Sequence, residues 1–362
     1  MSIQQTYLRV ISGPTWNPLL ILLRFGLWIL SLLYALIVTF RNVLFDFGIK
    51  RVIKVPVPVI SVGNITTGGT GKTPMVAWIA KWLRDRDQRV TLLSRGYGGI
   101  DGGPNDEALE LYRRLPDVPH LQNPDRVTSA LMAIEELEAE VLVLDDGFQH
   151  RRLGRNLEIV LIDATCPFGF GYVLPRGLMR EPKRGLRRAD LIVITRVANV
   201  DTEYVTQLEN RITAICGDTP TIKVSHEPTR LVNSSGNHLP LVSLQGRRIA
   251  TFCAIGNPMA FENSIQSIGA QIVESRQFPD HHVFTQDDID SLESMMDDGD
   301  AEMLICTCKD LVKVGIDRIG DHEIWALEIE VVLQSGEDTL NAMLEQTVGI
   351  NKLLQSAEVN DG

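Results

Sequence analysis

Apolar residues crowd the first part of the chain and then thin into short bursts separated by polar stretches. Residues 19–40 are almost continuously apolar, interrupted by Arg24 and softened by Ser31 and Thr39. About 20 apolar residues suffice for a membrane helix, and the pattern predicts one here. A signal peptide would show a shorter apolar core and a small-residue cleavage site, and neither is evident. Trp16, Trp28 and Tyr34 supply the amphipathic anchors found at membrane interfaces, which argues against a buried core helix. Arg24 lies near one end, within snorkelling reach of the interface. Arg41, Lys50, Arg51 and Lys54 follow, and the positive-inside rule then places the rest of the chain on the cytoplasmic side. The pattern is compatible with a helix that spans and with one that lies in a single leaflet.

After this segment the apolar positions come in runs of strand length. Residues 55–62, 90–94, 141–144, 157–162 and 191–195 are rich in β-branched residues, with helical stretches between several of them. That alternation predicts a mainly parallel, doubly wound sheet. Residues 219–237 hold Pro220, Pro228, Ser234, Ser235 and Gly236 and read as a boundary; 249–255 and 303–307 read as further strands. The expected fold class is α/β. An amino-terminal membrane-associated helical segment (1–50) precedes a core domain built on that sheet (51–225) and a smaller α/β domain (226–362). The tail from about Ser356 is polar and expected to fray.

The first strand leads into Thr66, Thr67, Gly68, Gly69, Thr70, Gly71, Lys72 and Thr73, and a helix is predicted from Met75 with Pro74 in its first turn. A glycine-rich loop between strand and helix is the setting of a phosphate-binding loop. Its glycines let backbone N–H groups turn toward phosphate oxygens, and the helix N-terminus adds positive potential. Lys72 would reach the β- and γ-phosphates of ATP and the Thr73 hydroxyl would bind Mg²⁺. Thr66 stands where the strict pattern has glycine, so the loop is closer to a Gly-Gly-x-Gly-Lys-Thr form. The apolar run 141–144 ends in Asp145 and Asp146, the placement of carboxylates that hold Mg²⁺ beside such a loop. Asp106 opens a predicted helix and reads either as an N-cap or as a base or metal ligand at the carboxyl end of the sheet.

Composition narrows the partners. The 362 residues carry a formal net charge of −11, which argues against a general nucleic-acid binder. Five scattered cysteines, without a Cys-x-x-Cys pair, read as free thiols in a reducing compartment. Charge reverses locally between Arg176 and Arg188, where Arg180, Lys183, Arg184 and Arg187 also lie and Glu181 is the acid. This stretch reads as a solvated face or as a patch for anionic lipid or a phosphorylated substrate.

Several stretches together resemble one family, the tetraacyldisaccharide 4′-kinases of lipid A synthesis. They are the loop with its flanks from Ser61 to Pro74, Ser94-Arg95-Gly96-Tyr97-Gly98, Asp106-Glu107 and Asp145-Asp146-Gly147-Phe148-Gln149-His150. Leu174 to Pro182, Ala254 to Pro258 and Phe278-Pro279-Asp280-His281-His282 also match. The resemblance covers nearly the whole chain. It implies transfer of the ATP γ-phosphate to the 4′-hydroxyl of an acylated glucosamine disaccharide 1-phosphate lipid. It implies two α/β domains with the nucleotide between them, at the cytoplasmic face of the inner membrane among its lipids. It further implies Asp106 as the base, Asp145 and Asp146 as carboxylates for Mg²⁺ and for the base, Glu107 as a metal assistant and His281 as a residue near the nucleotide. No obligate protein partner is implied. Where the family has Thr-Glu-Lys-Asp, this chain has Thr307-Cys308-Lys309-Asp310. From the loop alone, a membrane-associated nucleotide switch that regulates a partner protein is the competing reading.

Overall fold

The structure, a computed structural model, describes residues 3–12, 16–96, 106–280 and 282–349. The tail from Ser356 lies outside them, as do Tyr97 and Gly98 of the Ser94–Gly98 motif. In chain order the elements begin with α1 (Ile3–Ile11), α2 (Pro18–Asp46), β1 (Val59–Asn64), α3 (Lys72–Arg84) and β2 (Val90–Ser94). Then come α4 (Asp106–Arg114), β3 (His120–Gln122), α5 (Arg126–Glu136), β4 (Val141–Asp145), β5 (Leu157–Asp163), β6 (Leu191–Thr195), α6 (Thr202–Cys216) and β7 (Thr221–Val232). The remainder is β8 (His238–Pro240), β9 (Arg248–Cys253), α7 (Pro258–Ser267), β10 (Gln271–Gln277), α8 (Gln286–Asp298), β11 (Met303–Thr307), α9 (Cys308–Val314), β12 (Arg318–Ile319), β13 (His322–Ser335) and α10 (Glu337–Val348).

The chain forms two compact units. The first comprises Met1–Arg95, Asp117–Ser225 and Val331–Gly362; the second comprises Gly96–Pro116 and His226–Glu330. Two segments depart from a linear division of the sequence. The segment with α4 belongs to the second unit because α4 packs on α9. The segment with α10 belongs to the first unit, where the Trp82 indole N–H donates to Asn341 Oδ1 at 2.9 Å.

Within the first unit the strands run β3-β2-β4-β1-β5-β6-β7, each pair parallel. β1, β2, β4, β5 and β6 are buried along their whole length, which is why they read as continuous apolar runs. β1 starts at Val59, later than the apolar run suggests, because Pro56 and Pro58 have no N–H for a ladder. It also takes in Gly63 and Asn64, which pair with Val160 and Leu161 of β5. After β4 the chain crosses β1 to reach β5, so the carboxyl ends of β1 and β4 flank a topological switch, the usual ligand crevice of such sheets.

Gly63 is required there by close approach. A Cβ at this position would lie 2.6 Å from Phe148 Cβ and 2.7 Å from the Phe148 backbone nitrogen. Phe148 is fully buried and cannot retreat. Gly63→Ala is therefore expected to destabilise the protein by about 1–3 kcal/mol through overpacking. A lowered urea midpoint at unchanged slope reports it, and an unchanged midpoint contradicts the packing described.

The second unit holds β10-β9-β11-β13 as parallel neighbours, with β12 antiparallel to β13 and β8 antiparallel to the end of β7. Its core is Phe252, Leu292, Met296, Leu304, Cys306 and Leu311 with their neighbours.

α2 departs from core-helix behaviour. Among the described residues it is the one helix long and apolar enough to cross a membrane. Leu22, Leu36, Ile37 and Phe40 are each about two-thirds exposed, at 66–68%. Arg24 does not snorkel. Its guanidinium donates to the Val10 carbonyl at 2.6 Å and the Ser12 carbonyl at 2.8 Å, satisfying carbonyls at the end of α1.

Candidate active site

The phosphate-binding loop follows β1 directly. Thr66 is buried and bridges to Met179, and the Thr67 N–H donates to the Leu178 carbonyl at 2.7 Å, so the loop's first residues are tied to a neighbouring segment. Gly68 and Gly69 are exposed, and Gly68 (φ +103°) and Gly71 (φ +84°) adopt the left-handed backbone that glycine permits. Among the described residues, nothing stands within 4 Å of the side-chain positions of Gly68 and Gly69. Thr70 is clamped from two sides. Its hydroxyl accepts from Asn64 Nδ2 at 2.8 Å, and its carbonyl accepts from the Thr195 hydroxyl at 3.0 Å. α3 begins at Lys72, placing Lys72 and Thr73 in its first turn with Pro74 beside them.

The carboxylates come from the end of β4. Asp145 pairs in register with Val62 of β1 and is 3% exposed. Asp146 takes a left-handed backbone (φ +55°), a conformation aspartate tolerates. This turn aims its carboxylate at Lys72 Nζ, 3.5 Å away, and at Arg180 Nη1, 2.6 Å away. Burial by itself would raise the Asp146 carboxyl pKa; Lys72 and Arg180 outweigh burial and hold it below the ordinary carboxylate range. Arg155 supports the turn from behind, donating to the carbonyls of Gly147 and His150 and pairing with Glu158 at 3.2 Å. The His150 imidazole is pushed down to about 4, by burial first and then by Arg126, Arg155 and Arg152.

Much of the basic stretch is engaged within the protein. Arg180 belongs to the site, an assignment that charge patterning alone did not make; its signal was its place in the 174–182 motif. Arg188 pairs at 2.9 Å with Glu181, which is fully buried and also accepts from Gln149 and Asn42. Arg176 donates to the Ile11 carbonyl at 3.0 Å. The same segment docks α2. The Ser31 hydroxyl donates to the Val173 carbonyl and accepts from the Arg176 N–H, both at 2.9 Å, and the Tyr34 hydroxyl donates to the Arg180 carbonyl at 2.9 Å. A groove of about 260 Å³ lies alongside, lined by Trp28, Leu32, Ala35, Tyr172, Met179 and Lys183 among others.

Asp106 and Glu107 open α4 in the second unit. Glu107 is exposed, and Asp106 is half-buried with its carboxylate 2.8 Å from Lys313 Nζ. His281 lies outside the described residues. Cys308, at the altered motif position, is buried and its sulfur lies 2.9 Å from Arg113, whose guanidinium also donates to the Glu328 carboxylate at 2.9 Å.

The donor set suits magnesium. It offers oxygen ligands from Thr73 and Asp145, and Mg²⁺ is usually held by one or two carboxylates with substrate phosphates and water. Among the described residues no group of three or more His, Cys, Asp or Glu side chains is arranged to hold a metal by itself.

Comparison with known proteins is consistent across its forms. The sequence profile described as tetraacyldisaccharide-1-P 4′-kinase matches residues 23–349. A tetraacyldisaccharide 4′-kinase of Syntrophus aciditrophicus is 39% identical over 312 residues, 79% of this chain and 83% of the relative. One from Geobacter metallireducens is 38% identical over 84% of this chain and 93% of the relative. A crystal structure of Aquifex aeolicus LpxK in complex with ATP superposes with a TM-score of 0.73 at 32% identity, covering 90% of this chain and 99% of that one.

Proposed function

Because the chain belongs to the tetraacyldisaccharide-1-P 4′-kinase family, we propose that it transfers the ATP γ-phosphate to the 4′-hydroxyl of a tetraacylated glucosamine disaccharide 1-phosphate, forming lipid IVA. The observation that carries this reading is the charge array at the mouth of the glycine loop, Lys72–Asp146–Arg180, on the carboxyl ends of β1 and β4. Phosphoryl transfer needs positioning and charge neutralisation more than covalent help from the protein.

The backbone N–H groups of residues 68–73 cradle the phosphate oxygens, and Lys72 neutralises the charge that develops on the transferring group. Asp146, itself anchored by Arg180, holds the Lys72 ammonium at the loop. Thr73 and Asp145 would hold Mg²⁺, which would supply charge neutralisation for the nucleotide's phosphate oxygens. Asp106 accepts the proton of the sugar hydroxyl as transfer proceeds, since such hydroxyls are too weakly acidic to ionise beforehand. Purified protein with ATP-Mg²⁺ and the disaccharide 1-phosphate in detergent should yield a bisphosphorylated lipid. Folded protein that gives no transfer to this acceptor sinks the assignment.

α2 brings the enzyme to its substrate at the cytoplasmic face of the inner membrane. It lies along one leaflet, because Ser31 and Tyr34 near its middle are bonded to the protein core while Leu22, Leu36 and Phe40 face outward. The groove beside Trp28 and Tyr172 offers apolar surface for an acyl chain. Replacing both Leu36 and Phe40 with Asp should weaken binding to phospholipid vesicles by at least about tenfold, since each buried charge costs well over 1.4 kcal/mol. Flotation with vesicles measures this, and undiminished flotation argues against lipid contact by this face.

A further inference from the structure

α9 is short, and Lys309 and Lys313 stand one turn apart on the face it turns to α4. Lys313 Nζ lies 2.8 Å from Asp106 Oδ2 and 3.3 Å from the His282 carbonyl. Lys309 Nζ lies 3.7 Å from the same Asp106 oxygen and 3.3 Å from Asp280 Oδ1. The Lys313 side chain is 9% exposed, and removing the Asp106 carboxylate beside it would leave a nearly buried cation uncompensated. Asp310, the acid on the same helix, is turned elsewhere, accepting from the Thr307 hydroxyl at 2.6 Å and the Ala254 N–H at 3.1 Å. We propose that Lys313, seconded by Lys309, is a positioning residue for phosphoryl transfer: the two ammonium groups grip one oxygen of Asp106 and fix the carboxylate's orientation, and they hold the Asp280 carboxylate and the His282 carbonyl to the same point. This rests on the assignment of Asp106 as the base.

The role acts on turnover rather than on binding, because Lys313 works through Asp106. Lys313→Met should lower kcat about 30- to 100-fold, the scale of a misplaced catalytic group, with KM for ATP and for the lipid within about threefold of wild type. Lys313→Arg keeps a cation in reach and should return kcat to within about tenfold of wild type. The full-length protein is assayed with ATP-Mg²⁺ and the disaccharide 1-phosphate in detergent. A wild-type kcat in Lys313→Met overturns the inference, and so does a defect that Lys313→Arg leaves uncorrected. If thermal unfolding shows that Lys313→Met does not fold, Lys309→Met, at a more exposed site, replaces it. The same kcat-specific loss supports the role there, and unchanged kcat defeats it. Asp106→Asn in parallel separates the two levels. If it keeps wild-type turnover, the base assignment fails and this inference with it. If it is inactive while Lys313→Met turns over normally, the positioning role alone fails.

Discussion

Lys72→Met is expected to reduce phosphoryl transfer by about a thousandfold, the upper scale for losing one preorganised charge at a developing anion. Methionine keeps the length of the stem, and Lys72 is 8% exposed, so packing at the start of α3 is largely retained. Asp146 keeps its contact with Arg180, which limits the penalty of removing the ammonium. The loss therefore falls on the reaction rather than on the fold. Product formation at saturating ATP, measured beside thermal unfolding, separates the two. A variant that retains more than a tenth of wild-type turnover removes Lys72 from the mechanism.

Asp106→Asn carries the second large effect. Turnover should fall by about 10²- to 10⁴-fold, the range for loss of a general base. Nucleotide affinity, measured by calorimetry, should stay within about threefold, since the phosphate loop supplies the binding groups. Asparagine preserves the shape at the start of α4 but leaves the buried Lys313 ammonium without its carboxylate, and some loss of stability should accompany the substitution. Equal losses of turnover and nucleotide affinity would assign Asp106 a metal-binding or structural part instead.

The readable parts of this chain share one property: their meaning is local. The strands β2, β4, β5 and β6 announced themselves as apolar runs because each is buried on both faces. The loop from Thr66 to Thr73 was legible because strand, glycines and helix succeed one another along the chain. The prolines that delay β1 carried a local signal too, but hydrophobic pattern alone extended the strand over them.

Charge partnerships were not legible. Arg180 lies 34 residues from Asp146, and its place beside that carboxylate depends on the pairing of Thr66 with Met179 across the end of the sheet. Arg24 read as a membrane-interface residue because nothing nearby in sequence marks the α1 carbonyls as its partners. Lys309 and Lys313 gained a role only when α4 and α9 packed together.

A parallel α/β core, an apolar amino-terminal helix and a phosphate-binding loop can thus be read from the sequence, because strand burial, an unbroken apolar run and loop chemistry are written in consecutive residues. Tertiary structure alone decided which cation meets which carboxylate and which face of α2 rests on protein. An ion pair reaches only a few ångströms, and such proximity between residues far apart in the chain exists only once the sheet and its helices have closed around them.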